Sequence, residues 1–169
     1  MIVEPYASTD HALPGPLLPE LTELYASHRD FHAITGDFPD PDDIRPEQVA
    51  AALADELAVP GAEVLLARSE GRLIGVAAIL DHHPDPDDPD PWIGLLMVDA
   101  RSQRSGHGRA LAGTLEERFR SEGRTGVKVA VLENNPRALA FWTSLGYETA
   151  DHRADREKGR PCVVLRKGL

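Results

Sequence analysis

Six residues in the middle of the chain, Gln103-Arg104-Ser105-Gly106-His107-Gly108, join a polar loop to two glycines separated by one residue. Before them the apolar run Trp92 to Val98 reads as a strand, and Asp99 to Ser105 as a loop. After them Leu111, Leu115 and Phe119 recur at helical spacing. A glycine at a helix start has no Cβ, so the backbone can approach a ligand closely. The first amides of a helix lack intrahelical acceptors and lie at the positive end of its dipole. This combination makes an anion site. Its expected ligand is the pyrophosphate of a cofactor, held at Gln103 and by the amides of Arg104, Ser105, Gly106, His107, Gly108 and Arg109; the plain alternative is a glycine-containing turn.

Two common phosphate loops are excluded. A P-loop requires Gly-Lys followed by Ser or Thr, and the chain has no such tripeptide. A dinucleotide fingerprint requires a third glycine three places after Gly108, where Leu111 stands.

The 169 residues suit one domain, 1–169, with room for a proper core. No apolar run approaches the roughly 20 residues of a membrane span, and no basic-then-apolar leader is visible, so a cytoplasmic protein is expected. The single cysteine, Cys162, has no partner for an internal disulfide, and no Cys/His cluster has zinc spacing. A formal charge of −10 argues against nucleic acid as a partner and favours a cationic small molecule.

Other elements must position the loop. Ile2 to Tyr6 is β-prone, and Pro14-Gly15-Pro16 turns the chain. Leu17, Leu21, Leu24, Tyr25 and His28 then share one face of a predicted helix. Gly36 to Pro46 reads as a loop. A second helix starts near Pro46, places Val49, Leu53 and Leu57 together, and stops at Pro60-Gly61. Glu63–Arg68 and Arg72–Leu80 read as a hairpin around Ser69-Glu70-Gly71. Asp81 to Pro91 carries four prolines and five aspartates, which excludes regular structure. The helix after the loop ends near Glu122-Gly123. Val127 to Leu132 alternates like a strand, and Asn135-Pro136 opens a helix closed by Gly146. Tyr147–Arg153 and Pro161–Arg166 form an expected final pair around Glu157-Lys158-Gly159.

Two motifs carry a family resemblance. Gln103 to Gly108 resembles the [Gln/Arg]-X-X-Gly-X-[Gly/Ala] loop of the GCN5-related N-acetyltransferases. Asn135-Pro136-Arg137-Ala138-Leu139-Ala140-Phe141-Trp142-Thr143-Ser144-Leu145-Gly146-Tyr147 resembles their Asn-X-X-Ala-X-X-[apolar]-Tyr-X-X-X-Gly-[Phe/Tyr] stretch, in the expected place. The resemblance covers roughly residues 92–147. It implies a mixed α/β fold with a twisted mixed sheet of six to seven strands and about four helices. The order is strand, two helices, three strands, helix, strand, helix, two strands, with the fourth and fifth strands splayed around a pantetheine arm.

The resemblance also implies acetyl-CoA and direct attack by an amine, of a small molecule or a protein, in a ternary complex. A homodimer is compatible with it. Leu96, Met97 and Val98 would offer backbone groups to the arm and an N–H to the developing oxyanion. Asn135 would lie near the cofactor, serve as an N-cap, or do both. The family's helix tyrosine, often the acid for the departing thiolate, is replaced by Trp142, whose indole donates a hydrogen bond but is no proton source near neutrality. Trp142 is expected against the arm or in the core. A lysine-like amine must lose a proton at a cost of about 4.6 kcal/mol at pH 7, which is worth catalysing. Glu133 is the leading candidate base, with Asp81, His82 and His83 behind it; each has a surface role as its alternative. The two histidines lack a third metal ligand. Cys162 is expected to be a packed, inert thiol. The rival reading is an inactive acyl-CoA-binding module.

Overall fold

The computed structural model describes residues 1–6, 15–156 and 158–169. Pro14 of the expected first turn and Glu157 of the last one lie outside the described residues. The strands are β1 Ile2–Pro5, β2 Ala62–Ser69, β3 Arg72–Leu80, β4 Trp92–Val98, β5 Gly126–Leu132, β6 Glu148–Ala154 and β7 Pro161–Gly168. The helices are α1 Leu17–Ala26, α2 Arg29–Thr35, α3 Pro46–Ala58, α4 His107–Ser121 and α5 Pro136–Ser144. Seven strands form one sheet in the order β1-β2-β3-β4-β5-β7-β6. Every neighbouring pair is antiparallel except β4 and β5. Among the described residues no helix is long and apolar enough to cross a membrane.

The mixed fold and its strands match the expectation, but five α-helices stand where about four were expected. The helix drawn through His28 ends at Ala26, and α2 begins at Arg29. The hydroxyl of Ser27 donates to Leu24 O at 2.7 Å. His28 leaves helical geometry at φ −108°, ψ 40°. Side-chain bonds of this kind compete with the helix ladder, and here the break turns both residues toward β4.

Two cores flank the sheet. Leu111, Leu115 and Phe119 of α4 are fully buried, and Val127, Val129, Trp142 and Tyr147 are buried in the same cluster. The helical spacing of α4 thus delivers one apolar stripe to the sheet. On the opposite face Leu21, Leu24, Val49 and Leu53 of α1 and α3 pack on Val64, Val76 and Met97. Each fully buried leucine side chain contributes about 1.5–3 kcal/mol relative to exposure.

The central strands part midway. β4 and β5 pair only at Trp92↔Lys128 and Ile93↔Val129. On its other edge β4 carries one extra residue: Leu95 faces Ala78 and Ile93 faces Ile79, which leaves Gly94 unpaired in a bulge. A bulge bends its strand and increases local twist. β4 therefore turns away from β5 just past Ile93, and the sheet opens toward Val98 and Leu132.

Candidate active site

The open end of the β4–β5 gap is where the chain brings its glycine loop. Asp99, 2% exposed, caps the 3-10 turn Ala100–Ser102 by accepting from the Arg101 amide at 2.8 Å. Its carboxylate also pairs with the Arg101 guanidinium at 2.7 Å, and that pairing holds the acid below its usual pKa. Arg104 (φ 64°) and Gly106 (φ 80°) are both left-handed, so the chain reverses sharply into α4. A Cβ on Gly106 would meet nothing within 4 Å, so backbone conformation demands the glycine there. Gly108 sits in a tight place: a Cβ would meet Cε2 of Phe141 at 3.3 Å, and the ring would have to give.

The loop amides are free to bind. Gly106, the N-cap of α4, has no capping side chain. Among the described residues the amides of Arg104 through Arg109 have no protein acceptor, and Ala110 is the first to bond back, to Gly106 O at 2.9 Å. Exposed, unpaired amides at the positive end of a fifteen-residue helix fit a pyrophosphate.

Register decides which strand groups face the gap. Asp99 N donates to Ile74 O at 2.9 Å. With the pairing that follows, Val76↔Met97 and Ala77↔Leu96, alternation turns the backbone of Asp99 and Met97 toward β3. Val98 and Leu96 therefore present N–H and C=O to the gap. Met97 instead buries its side chain in the α1–α3 core at 3% exposure. Gly94 and Ala130, each just past the last paired residues, are exposed on otherwise largely buried central strands.

A corner of the first helix pair closes on this edge. His28 Nε2 lies 2.6 Å from Val98 O. The Ala100 amide donates to the Ser27 hydroxyl at 3.0 Å. From the other side Arg137 of α5 donates to Gln103 Oε1, and Gln103 Nε2 to Val98 O, both at 3.4 Å. Nothing local in the sequence marks His28, Ser27 or Arg137 for these contacts, because their partners lie 70, 73 and 34 residues away.

The other expected residues are distributed unevenly. Asn135 is buried and caps α5, accepting from Ala138 N at 3.1 Å. Trp142 is 7% exposed and packs edge to face with Phe141 and Tyr147, at 5.1 and 4.9 Å between ring centres. Its indole sits in the α4–α5 core. Glu133 follows β5 at the open end of the gap, exposed, with His152 Nδ1 at 3.3 Å. Asp81, His82 and His83 lie at the closed end instead: Arg124 donates to Asp81 at 2.8 Å, and His83 stacks on Trp92 at 5.0 Å. Cys162 is buried on β7, and burial pushes its thiol above the usual pKa. Among the described residues no group of His, Cys, Asp or Glu has metal-binding geometry.

A depression of about 650 Å³ lies elsewhere, lined by Glu63, Asp81, Arg118 and Arg124 at the far end of α4. Its arginines are already paired, Arg118 with Glu63 at 2.6 Å and Arg124 with Asp81 at 2.8 Å. Beside the β4–β5 gap, by contrast, the loop amides are unpaired among the described residues, which makes the gap the better candidate.

The model of the acetyltransferase (GNAT) family matches residues 21–147. No curated protein matches the chain. Solved structures share its fold. An acetyltransferase from Thermus thermophilus aligns with a TM-score of 0.70 and 19% identity over 100% of this chain and 98% of that one. The ribosomal-protein-alanine N-acetyltransferase of Brucella melitensis gives 0.66 and 20%, covering 100% of both. A GNAT acetyltransferase from Elizabethkingia anophelis with acetyl-CoA bound gives 0.65 and 16%, over 99% and 97%. The matched residues run through the first helices, the splayed strands, the glycine loop and α5, and on that basis the chain belongs to the GNAT acetyltransferase family.

Proposed function

We propose that this protein transfers an acetyl group from acetyl-CoA to a primary amine by direct attack in a ternary complex. The observation that carries the reading is the coincidence of the β4–β5 gap with a loop of unpaired amides at its open end. Acetyl-CoA, the acyl donor of the family, supplies a thioester carbonyl as electrophile. The amides of Arg104 to Arg109 are suited to its pyrophosphate, and the gap-facing backbone of Leu96 and Val98 to its arm. One of those N–H groups would also stabilise the oxyanion, a term worth roughly 3–4 kcal/mol where a single donor has been removed elsewhere.

The acceptor enters from the face of α1 and α2, where Gly94 and Ala130 leave the sheet open. Two neighbours of like fold are named for a ribosomal protein and for an aminoglycoside. Both names describe amine acceptors, and that shared chemistry supports a primary amine here. Screening the pure protein with acetyl-CoA against peptide amino termini, polyamines and aminoglycosides, with thiol release as the readout, tests the proposal. Release above the spontaneous rate is expected for at least one class. Binding of acetyl-CoA without release across all of them would support an inactive binding module instead.

A further inference from the structure

We infer that His28 is the base that takes the proton from the attacking amine, acting directly or through one water, an inference that rests on the function proposed above. The ring is tied to the one strand edge that matters. Nε2 lies 2.6 Å from Val98 O, and a carbonyl only accepts, so Nε2 carries the proton. The lone pair is thereby fixed on Nδ1. That atom has no partner among the described residues and is not sealed in, unlike Nδ1 of His32, which is buried without one.

Val98 is the gap-facing residue nearest the loop, and Leu96 is the next one inward. One bridging water would extend the reach of Nδ1 along this edge. His28 reaches this edge from the α1–α2 corner, which is the acceptor's side of the sheet. Ser27 holds the same corner through the Ala100 amide, so the ring is pinned at two consecutive residues.

Burial is what keeps the ring neutral. Burial lowers the His28 pKa below the ordinary histidine value; the Val98 carbonyl and Asp99 oppose that shift, and Arg137 of α5 adds to it. Within α2 the facing titratable group is His32, itself pushed down by burial and by His28. A neutral imidazole at pH 7 is the form a base requires.

The step balances simply. The free amine adds to the thioester carbonyl, and the nitrogen gains a positive charge. Its proton passes to Nδ1 while Nε2–H stays on Val98 O. Collapse then breaks the C–S bond, expelling thiolate and leaving the amide. The imidazolium returns its proton to thiolate or solvent. Glu133, exposed beside His152, has no comparable contact with β4 among the described residues.

The test is a pH profile of kcat/KM for wild type, His28→Gln and Glu133→Gln, using the best amine from the screen. The introduced glutamine retains an N–H donor for Val98 O, so the strand edge stays capped. His28→Gln is expected to lower kcat about 100-fold or more, to lose the acid limb, and to keep the acetyl-CoA-induced rise in Tm. The deficit should narrow at high pH, where hydroxide takes the proton from the cationic adduct instead. A His28→Gln enzyme with its acid limb intact would overturn the inference, as would loss of that limb in Glu133→Gln alone. Loss of acetyl-CoA binding in His28→Gln would also overturn it, making His28 a brace for β4. Imidazole NMR of the wild-type protein gives a check without substitution: protonation on Nδ1 instead of Nε2 in the neutral ring excludes the role. If the wild-type Tm does not respond to acetyl-CoA, the functional reading itself fails.

Discussion

A Cβ placed on Gly108 would stand 3.3 Å from Cε2 and 3.4 Å from Cζ of Phe141. The two stretches that carry the family resemblance therefore touch, in the first turn of α4 and the second turn of α5. Replacing Gly108 with valine would overpack this contact by roughly 1–3 kcal/mol. At about 2–4 °C per kcal/mol for a chain of this size, Tm should fall by roughly 2–12 °C. The same wedge would lift the start of α4 from its seat, so acetyl-CoA should stabilise the variant less than wild type. An unaltered Tm with normal acetyl-CoA binding would show that the contact is slack.

Gly106 is constrained differently, because φ is 80° and its Cβ direction is empty. Alanine there meets only backbone strain, about 1–2 kcal/mol in the left-handed region. Aspartate adds a carboxylate beside the amides proposed to hold pyrophosphate. Gly106→Ala should keep measurable acetyl-CoA binding by calorimetry, and Gly106→Asp should have none. Equal binding by the two variants would remove the anion from this turn.

Trp142 stands in the core between Phe141 and Tyr147. Truncation to alanine should cost about 3–5 kcal/mol, measured by urea unfolding. Phenylalanine should cost less and preserve the acetyl-CoA-induced rise in Tm. Full stability of Trp142→Phe with loss of that rise would mean that the indole contacts the cofactor arm.

Asp99 links the loop to pH. Its pKa is depressed in the folded protein by Arg101 and by the capped amide. A group with a lowered folded pKa contributes stability above its unfolded value, near 3.9, and loses it as pH falls through the folded one. Asp99→Asn should therefore lower Tm at pH 7 and flatten its decline below about pH 4. An unchanged acid limb of the Tm profile would assign the pairing no role in stability.

The strand segments, the glycine loop and α4 were legible because each rests on local physics. Leu111, Leu115 and Phe119 announce a helix face, and Gly106 and Gly108 announce a close-approach turn at its start. The gap was accessible only through resemblance, since a two-position pairing and a bulge at Gly94 are relations between strands. The split of the first helix was not legible either. Leu17 to His28 keeps an apolar stripe, and the contacts that Ser27 and His28 make past the break reach residues about 70 positions away. Asn135 shows the intermediate case, a cap visible from Asn-Pro alone. His28 is the counterexample: read as part of a buried face, it is half-buried and turned to the open edge of β4.

The most direct test of the central claim is the Tm of the wild-type protein with and without saturating acetyl-CoA. A ligand at about 100 times its dissociation constant adds roughly 2.7 kcal/mol. For a chain of this size that is a rise of at least about 5 °C. The expected result is such a rise with acetyl-CoA and none with NAD or ATP at equal concentration. No rise with acetyl-CoA, or an equal rise with all three, would contradict the assignment of the β4–β5 gap and its glycine loop as the cofactor site.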